Sequence, residues 1–188
     1  MMDRLWTGVV LAGGKSSRMG RDKALISVEG RTLLERAVTL LRPHVREILV
    51  IGDPLKYSTA QGQVVPDLQP GLGPLGGVVT ALKQARYVRL LVIACDMPNI
   101  NDRLLMRLKT ALDEGHDAAV PRRQGLIEPL AAAYHKRSID AFEGALKQGE
   151  LKMSDALALL RTAWLEITPG EDGWAPDLFR NINAPTDL

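Results

Sequence analysis

The stretch Gly8–Leu25, GVVLAGGKSSRMGRDKAL, decides the fold and carries the first binding site that the sequence predicts. It opens with the apolar run Val9–Leu11, and a β-branched run followed at once by glycines is typical of a buried strand. Paired glycines at a strand end let the backbone approach a ligand with its N–H groups pointing outward. The cationic side chains Arg18, Arg21 and Lys23 follow. Since a triphosphate binds both kinds of donor, the stretch predicts a phosphate-binding loop.

A simpler interpretation makes the same stretch a glycine turn with solvated charges. The glycines Gly13, Gly14 and Gly20, several cations and a preceding strand within 18 residues favour phosphate binding instead. The Walker A pattern is not matched, and this loop also lacks Gly-x-Gly-x-x-Gly. A P-loop ATPase and a nicotinamide dehydrogenase therefore lack their characteristic motifs here.

Length and composition limit the classes of protein to which this chain can belong. The chain has 188 residues, enough for one domain with a proper core. Its 24 Lys and Arg residues against 22 Asp and Glu residues give no support for a nucleic-acid or membrane-surface partner. Three histidines and one cysteine exclude a disulfide framework and a Cys/His zinc cluster. No apolar run approaches the roughly 20 residues of a membrane span, and the start MMDRLWTGVV lacks a signal-peptide core, so we expect a cytoplasmic protein.

Strands and helices alternate along the remaining chain. This order predicts an α/β fold with a mostly parallel central sheet and helices on both faces. A capping box, Thr32-x-x-Glu35, predicts where the first helix begins, and Pro43 ends it. Later strands are predicted at residues 47–51, 63–67, 88–94, 117–121 and 163–167, and a short extended piece at 24–28. Further helices are predicted at 77–86, after Asn101, after Ser138 and at 154–161.

Polar features follow several of these strands. Ligands of an open parallel sheet lie outside the carboxyl ends of its strands, and Asp67, the loop 70–77 and Asp96 all occupy such positions. Asp96 follows the most apolar strand, and a carboxylate there suits Mg²⁺ bound together with substrate phosphates. Asp67 is either a second ligand or a nucleotide contact. The alternative for Asp96 is an Asp that only stabilises a turn.

The cationic side chains have a use in nucleotidyl transfer. Attack on an α-phosphate builds charge on its oxygens and on the departing pyrophosphate, and fixed cations stabilise that charge. Lys23 and Arg18 are the candidates, helped by backbone N–H groups. Cys95 fits a buried hydrophobe better than a nucleophile. The three histidines lie away from the glycine loops, and Trp164 and Trp174 are predicted to be packing or lid residues.

These motifs together resemble the molybdenum cofactor guanylyltransferases. The resemblance covers almost the whole chain, with its landmarks in the same order. They are Leu11–Gly14, Ser17–Gly20 with Asp22 and Lys23, Gly73–Gly77, Cys95–Pro98, Glu128–Leu130 and Phe179–Pro185. One departure is Gly52-Asp53, where some members have Asn as a nucleotide contact, so we assign no contact there.

The resemblance implies a Rossmann-like, three-layer nucleotidyltransferase fold in a single domain, residues 1–188. About residues 1–100 would bind the nucleotide and about 101–188 the acceptor. The implied reaction is Mg²⁺-dependent transfer of GMP from GTP to molybdopterin-bound molybdenum, with release of pyrophosphate. The implied nucleotide contacts are Leu11, Ala12, Gly13, Gly14, Lys23, Asp67 and Asp96, with Asp96 also on the metal. The implied acceptor contacts are Glu128, Pro129, Asn181 and Asn183.

Other functions stay open at this point. A cytidylyltransferase for the same pterin, or a transferase for another phosphorylated acceptor, would use the same kind of loop. A non-catalytic nucleotide-binding module is a more remote alternative, because a binder has less need of both Lys23 and Asp96. The expected partners are GTP and the molybdopterin acceptor, with transient contacts to cofactor-delivery proteins or molybdoenzymes, and neither nucleic acid nor membrane.

Overall fold

The middle layer of the protein is an eight-stranded sheet. The computed structural model describes residues 5–13, 22–58 and 60–182. In chain order the strands are β1 (Trp6–Leu11), β2 (Ser27–Val28), β3 (Arg31–Thr32), β4 (Glu47–Ile51), β5 (Gln63–Val65), β6 (Arg89–Ala94), β7 (Ala118–Arg123), β8 (Leu126–Ile127), β9 (Ala131–His135) and β10 (Thr162–Glu166). The helices are α1 (Leu33–Leu41), α2 (Gly73–Gln84), α3 (Asp102–Asp113), α4 (Ile139–Lys147) and α5 (Met153–Leu157).

The strand order in the large sheet is β10-β7-β9-β6-β1-β4-β5, with β8 paired to β7. The pairs β6-β1, β1-β4, β4-β5 and β7-β10 are parallel, whereas β9 runs antiparallel to both of its neighbours. The short strands β2 and β3 form a separate hairpin. A mostly parallel sheet is confirmed. The reversed β9 was not foreseen, because its sequence AAAYH carries no signal of direction.

Helices cover the sheet on both faces. Along β1, Val10 belongs to one buried apolar cluster, and its neighbours Val9 and Leu11 belong to the other. The first cluster includes the apolar faces of α1 and α3, and the second includes those of α2, α4 and α5. Because successive strand residues point to opposite faces, each central strand contributes to both clusters. The three-layer arrangement expected from the sequence is confirmed.

Helix α1 begins where the capping box predicts. The Thr32 side chain accepts a hydrogen bond from the Glu35 backbone, and the Glu35 carboxylate accepts one from the Thr32 backbone. The helix buries Leu33, Leu34, Ala37, Val38 and Leu41. A 3₁₀ turn at residues 42–44 contains Pro43 and ends it.

Helix α2 begins four residues earlier than the predicted start at residue 77. Pro74 lies in its first turn, where the missing N–H leaves no helical hydrogen bond unmade. Gly76 and Gly77 lie inside the helix because they pack closely: an added Cβ would come within 3.0 Å of the Gln69 carbonyl oxygen and 3.3 Å of Leu11 Cδ2, respectively. These glycines therefore serve helix packing, and the predicted loop at 70–77 is wrong in its second half.

Three further boundaries differ from the expectation. The extended piece predicted at 24–28 is a 3₁₀ turn over Lys23–Leu25 followed by β2. Ser138 precedes α4, but its hydroxyl donates to the His135 carbonyl oxygen at 2.8 Å instead of capping the helix, because a 3₁₀ turn leads into it. Helix α5 ends at Leu157, four residues before the predicted end.

Candidate functional site

A cleft of about 850 Å³ opens at the carboxyl ends of the parallel strands. The pairing register brings Leu11 of β1 opposite Ile51 of β4 and Ala94 of β6, so these strands end at one edge of the sheet. The residues that line the cleft after the strands are Ala12, Gly13, Gly52, Asp53, Pro54, Pro66, Asp67, Cys95 and Asp96.

Most of the predicted nucleotide contacts meet in this cleft. Leu11, Ala12, Gly13, Lys23, Asp67 and Asp96 all line it, although they come from four separate segments of the chain. The start of α2 and Leu130 complete the wall. Gly14, Arg18 and Asn183 lie outside the described residues, so their roles stay predictions.

Lys23 and Asp96 form an ion pair inside the cleft. Lys23 Nζ lies 3.6 Å from Asp96 Oδ2, and about a quarter of each side chain is exposed (25% and 26%). Lys23 belongs to the 3₁₀ turn that Asp22 caps, while Asp96 follows the buried strand β6. The pair places one ammonium and one carboxylate where water and ligand both have access. Such a pair can bind phosphate oxygens on one side and a cation on the other.

The donor set around Asp96 fits a magnesium ion. Within the described ranges, no group of three or more His, Cys, Asp or Glu side chains is placed to hold a metal. Magnesium is commonly bound by one or two carboxylates, with substrate phosphates and waters completing its six ligands. Asp96 in an open cleft supplies such a carboxylate, so the residues present fit this ion when phosphates are bound with it.

Asp67 is fixed by its neighbours at the rim of the cleft. Its Oδ1 atom accepts hydrogen bonds from Thr80 Oγ1 at 2.8 Å and from the Gln69 backbone at 3.0 Å. Thr80 is fully buried in α2 and also accepts a hydrogen bond from the Leu68 backbone. Asp67 is therefore held rigidly against α2. Its contact with a nucleotide stays a prediction.

Two residues beside the cleft, Tyr57 and Asp22, have structural roles that the sequence did not predict. Tyr57, in the turn after β4, is buried, and its hydroxyl oxygen lies 2.8 Å from Asp22 Oδ2. Burial, together with the hydrogen bond to Asp22, raises the pKa of Tyr57. The Asp22-Lys23 pair was noticed as a motif, but the part played by Asp22 was not predicted. No local signal identifies Tyr57, because its partners are distant in sequence.

Two of the predicted acceptor contacts, Glu128 and Pro129, directly precede Leu130, which lines the cleft. Glu128 Oε1 accepts a hydrogen bond from Arg123 Nε at 2.8 Å, and the Pro129 carbonyl oxygen accepts one from the Tyr134 hydroxyl at 2.6 Å. Arg123 was missed as a candidate, since it follows no glycine loop. It supplies a positive charge beside a segment expected to meet a phosphorylated acceptor.

The chain near residue 181 reaches the same edge of the sheet. The Ile182 backbone donates a hydrogen bond of 2.9 Å to the Asp96 carbonyl oxygen, so the segment that contains Asn181 lies against the end of β6. Phe179 and Leu178 are buried in the cluster that contains α1 and α3 and hold this segment down. A contact between Asn181 and an acceptor stays a prediction.

Cys95, two of the histidines and Trp174 lie where the sequence interpretation places them. Burial raises the pKa of the Cys95 thiol to about 12, which leaves it a protonated, buried side chain. His44 contacts Asp102, and His116 contacts the Ala111 carbonyl oxygen, both away from the cleft. Trp174 is buried beneath Arg103, whose guanidinium lies 4.1 Å from the ring centre. Among the described residues, no helix is long and apolar enough to cross a membrane.

Sequence comparison places the chain among nucleotidyltransferases. Residues 8–163 match the family profile described as the MobA-like NTP transferase domain. A protein of Pelotomaculum thermopropionicum named "Probable molybdenum cofactor guanylyltransferase" is 38% identical over 186 residues, which cover 97% of this chain and 89% of that protein. A Bacillus subtilis protein of the same name is 34% identical over 186 residues, covering 96% and 91% of the two chains.

Solved structures give the same grouping. The crystal structure of molybdopterin-guanine dinucleotide biosynthesis protein A from Archaeoglobus fulgidus superposes with a TM-score of 0.81 at 28% identity, covering 96% of this chain and 94% of the other. The 4-diphosphocytidyl-2C-methyl-D-erythritol synthase of Anaerococcus prevotii superposes with a TM-score of 0.71 at 13% identity, covering 98% and 95%. The second likeness shows the fold alone.

Proposed function

Since the chain belongs to the MobA-like NTP transferase family, we propose that it transfers GMP from GTP to the molybdenum cofactor and releases pyrophosphate. Relatives at 34% and 38% identity carry the name of that activity over nearly their whole length. The observation that carries the proposal is the Lys23–Asp96 ion pair in a cleft at the strand ends. A nucleoside triphosphate needs both a cation for its phosphates and a carboxylate for the accompanying metal.

The proposed reaction is a direct displacement at phosphorus. A terminal phosphate oxygen of the pterin forms a bond to the α-phosphorus of GTP, and the bond from that phosphorus to the oxygen bridging to the β-phosphorus breaks. The electron pair of the broken bond leaves with pyrophosphate. Lys23 binds the phosphate oxygens and stabilises the charge that develops on them, and the backbone at Ala12 and Gly13 lets the nucleotide approach closely.

We assign the metal site to Asp96 and the ion to Mg²⁺. When bound, the ion supplies positive charge to the triphosphate and the leaving pyrophosphate. Asp96 orients that charge from the end of β6, and Lys23 lies beside it with Nζ 3.6 Å from Asp96 Oδ2. Arg18 is proposed as a second cation for the leaving group, and Gly14 and Asp67 as further nucleotide contacts.

The acceptor is proposed to bind across Leu130 from the nucleotide. Glu128, Pro129, Asn181 and Asn183 are the contacts that the family resemblance implies, and Arg123 adds a charge suited to a phosphate there. In this arrangement about residues 1–100 bind the nucleotide and about 101–188 bind the acceptor. Transient contacts with cofactor-delivery proteins or recipient molybdoenzymes are proposed to form on the surface of residues 101–188.

The test is pyrophosphate release by the purified protein, measured with each of the four nucleoside triphosphates, Mg²⁺ and a molybdopterin acceptor. We expect release with GTP only when both Mg²⁺ and acceptor are present. Equal turnover with CTP would contradict the assignment of guanine. Nucleotide binding without any release, with every nucleotide, would favour the non-catalytic binding module instead.

A further inference from the structure

Tyr57 is a buried side chain directly behind the cleft, and no step of the proposed reaction uses it. Only 2% of the residue is exposed. Its ring packs against Gly52, where an added Cβ would come within 2.4 Å of Tyr57 Cε2. Gly52 itself lines the cleft. The absence of a side chain at Gly52 therefore makes room for the ring, and this wall of the cleft rests on Tyr57.

The Tyr57 hydroxyl reaches two segments that are distant in sequence. Its oxygen lies 2.9 Å from the Ala12 carbonyl oxygen, just after β1, and 2.8 Å from Asp22 Oδ2. Ala12 and Asp22 stand on either side of the glycine-rich stretch in the sequence. The single hydroxyl proton is shared between these two acceptor oxygens, so Tyr57 links the two flanks of that stretch.

Asp22 connects Tyr57 to the turn that contains Lys23. Its Oδ1 atom accepts a hydrogen bond of 3.1 Å from the Ala24 backbone and so caps the 3₁₀ turn. Its Oδ2 atom also lies 3.7 Å from the ammonium group of Lys56, which stands in the same turn as Tyr57. The direction of the Asp22 carboxylate therefore sets the start of the turn. From that turn, Lys23 Nζ comes within 3.6 Å of Asp96 Oδ2.

We propose that Tyr57 is a positioning residue for Lys23, holding the Lys23 turn against the end of β1 through Asp22. The ammonium group is then directed at Asp96 and at bound phosphates before the nucleotide arrives, so less ordering is needed in the reaction. This inference rests on the proposed function, because it takes Lys23 to be the lysine that binds phosphates. The raised pKa of Tyr57 keeps its hydroxyl a protonated donor throughout the neutral range.

The test is a double-mutant cycle between Tyr57→Phe and Lys23→Ala. Phenylalanine fills the same space and removes only the hydroxyl, so the packing against Gly52 is retained. Since the hydroxyl acts through Lys23, Tyr57→Phe is expected to lower kcat about tenfold in the wild-type background, the order of effect of one well-placed hydrogen bond. In the Lys23→Ala background the same change is expected to lower kcat less than about twofold. The KM for the nucleotide is expected to rise after Tyr57→Phe only in the background that retains Lys23, because Lys23 also binds phosphates in the ground state.

Tyr87→Phe is the matched control. It removes a tyrosine hydroxyl just before β6, at the opposite end of the strand from the cleft, and is expected to leave kcat unchanged. If Tyr57→Phe lowers kcat by the same factor with and without Lys23, or does not lower it at all, the positioning role is overturned. Thermal unfolding of each variant separates a general loss of stability from the kinetic effect.

A separate readout distinguishes this inference from the proposed reaction. The kinetic cycle uses whichever nucleoside triphosphate the protein turns over fastest, so an error in the base leaves the cycle measurable. If no nucleotide is turned over, the reaction is wrong, and the same four proteins are compared by calorimetric binding of inorganic tripolyphosphate. Weaker binding after Tyr57→Phe only when Lys23 is present supports positioning, and equal binding by all four proteins overturns it.

Discussion

Two side chains, Lys23 and Asp96, carry most of the chemistry assigned to this cleft. They lie on separate segments, yet their charged atoms are 3.6 Å apart. The opposite charges attract each other, which lowers the free-energy cost of burying part of each side chain. In the proposed complex with nucleotide, the phosphates would bind the ammonium group and the metal would bind the carboxylate. The proposed triphosphate site thus has both groups in place: an ammonium group for phosphate oxygens and a carboxylate for the metal.

Replacing Lys23 by Ala is expected to slow turnover strongly. Loss of one charge-stabilising donor from a transition state typically costs on the order of 10²–10³ in kcat. Pyrophosphate release under saturating GTP and acceptor measures the effect. Lys83→Ala is the control, because Lys83 also forms an ion pair, with Glu143, but lies at the far end of α2. A Lys23→Ala protein with wild-type kcat would remove Lys23 from the mechanism.

At this scale the sequence predicted the residues that directly follow strands, because a strand end is a local signal. Asp67 and Asp96 were found in this way, and the structure places both in the cleft. Tyr57 could not be found, since its partners Ala12 and Asp22 are 45 and 35 residues away in sequence. Arg123 was missed for a similar reason. Its side chain meets Glu128 only because the turn between β7 and β8 folds the chain back.

Among the elements, α1 shows how a helix start is determined locally. Its capping box satisfies backbone N–H groups at Thr32 and Glu35, and five buried residues then join it to the sheet. Both features are readable from the sequence, and both are confirmed. The start of α2 was predicted too late, because its glycines resemble a loop when their close packing against Leu11 and Gln69 is unknown.

Thr32→Ala is expected to destabilise the protein by about 1 kcal/mol, the typical value of a lost helix cap. The measurement is the free energy of unfolding from urea titration. Thr39→Ala provides the comparison, because Thr39 is exposed on the same helix and Ala has the higher helix propensity there. Equal destabilisation by both changes would show that the capping box contributes nothing measurable.

Across the whole molecule, Asp117 joins three neighbouring strands at one end of the large sheet, β7, β9 and β10. It stands just before β7, and its carboxylate contacts Arg137, which follows β9, and Arg161, which precedes β10. Burial alone would raise the pKa of Asp117, but the hydrogen bonds from Arg161 and Arg137 outweigh it and hold the pKa at about 2. This value lies below the ordinary value of 3.8, so the folded state favours the ionised carboxylate.

The stabilisation from Asp117 is therefore expected to be complete above about pH 4 and to be lost as the pH falls to about 2. Asp117→Asn should lower stability at pH 7 on the order of 2 kcal/mol, between the values for exposed and buried ion pairs. The difference from wild type should shrink below pH 4. Thermal unfolding between pH 2 and 7 measures this, and Glu150→Gln, an exposed change of the same charge, is the control. A difference that stays constant with pH would contradict the assigned pKa.

The fold class and the covering of the sheet on both faces followed from alternating strand and helix patterns, and the structure confirms them. The direction of β9 did not follow, because a strand buried on both faces reads the same whichever way it runs. Its place between β6 and β7 is set by contacts of the complete sheet. Pattern alone therefore predicts the layers of this protein better than the order of its strands.

That reversed strand has a consequence for how the protein is made. On the ribosome, β6 emerges well before its sheet neighbour β9. Strand β7 lies between them in the sequence but does not pair with β6. At ordinary rates of synthesis, the backbone groups on the β9 side of β6 stay unpaired for on the order of seconds, until β9 has been made. During that interval the nascent chain presents an open sheet edge to other chains. We therefore expect the folded yield to depend on translation speed and early chaperone contact as well as on the stability of the finished molecule.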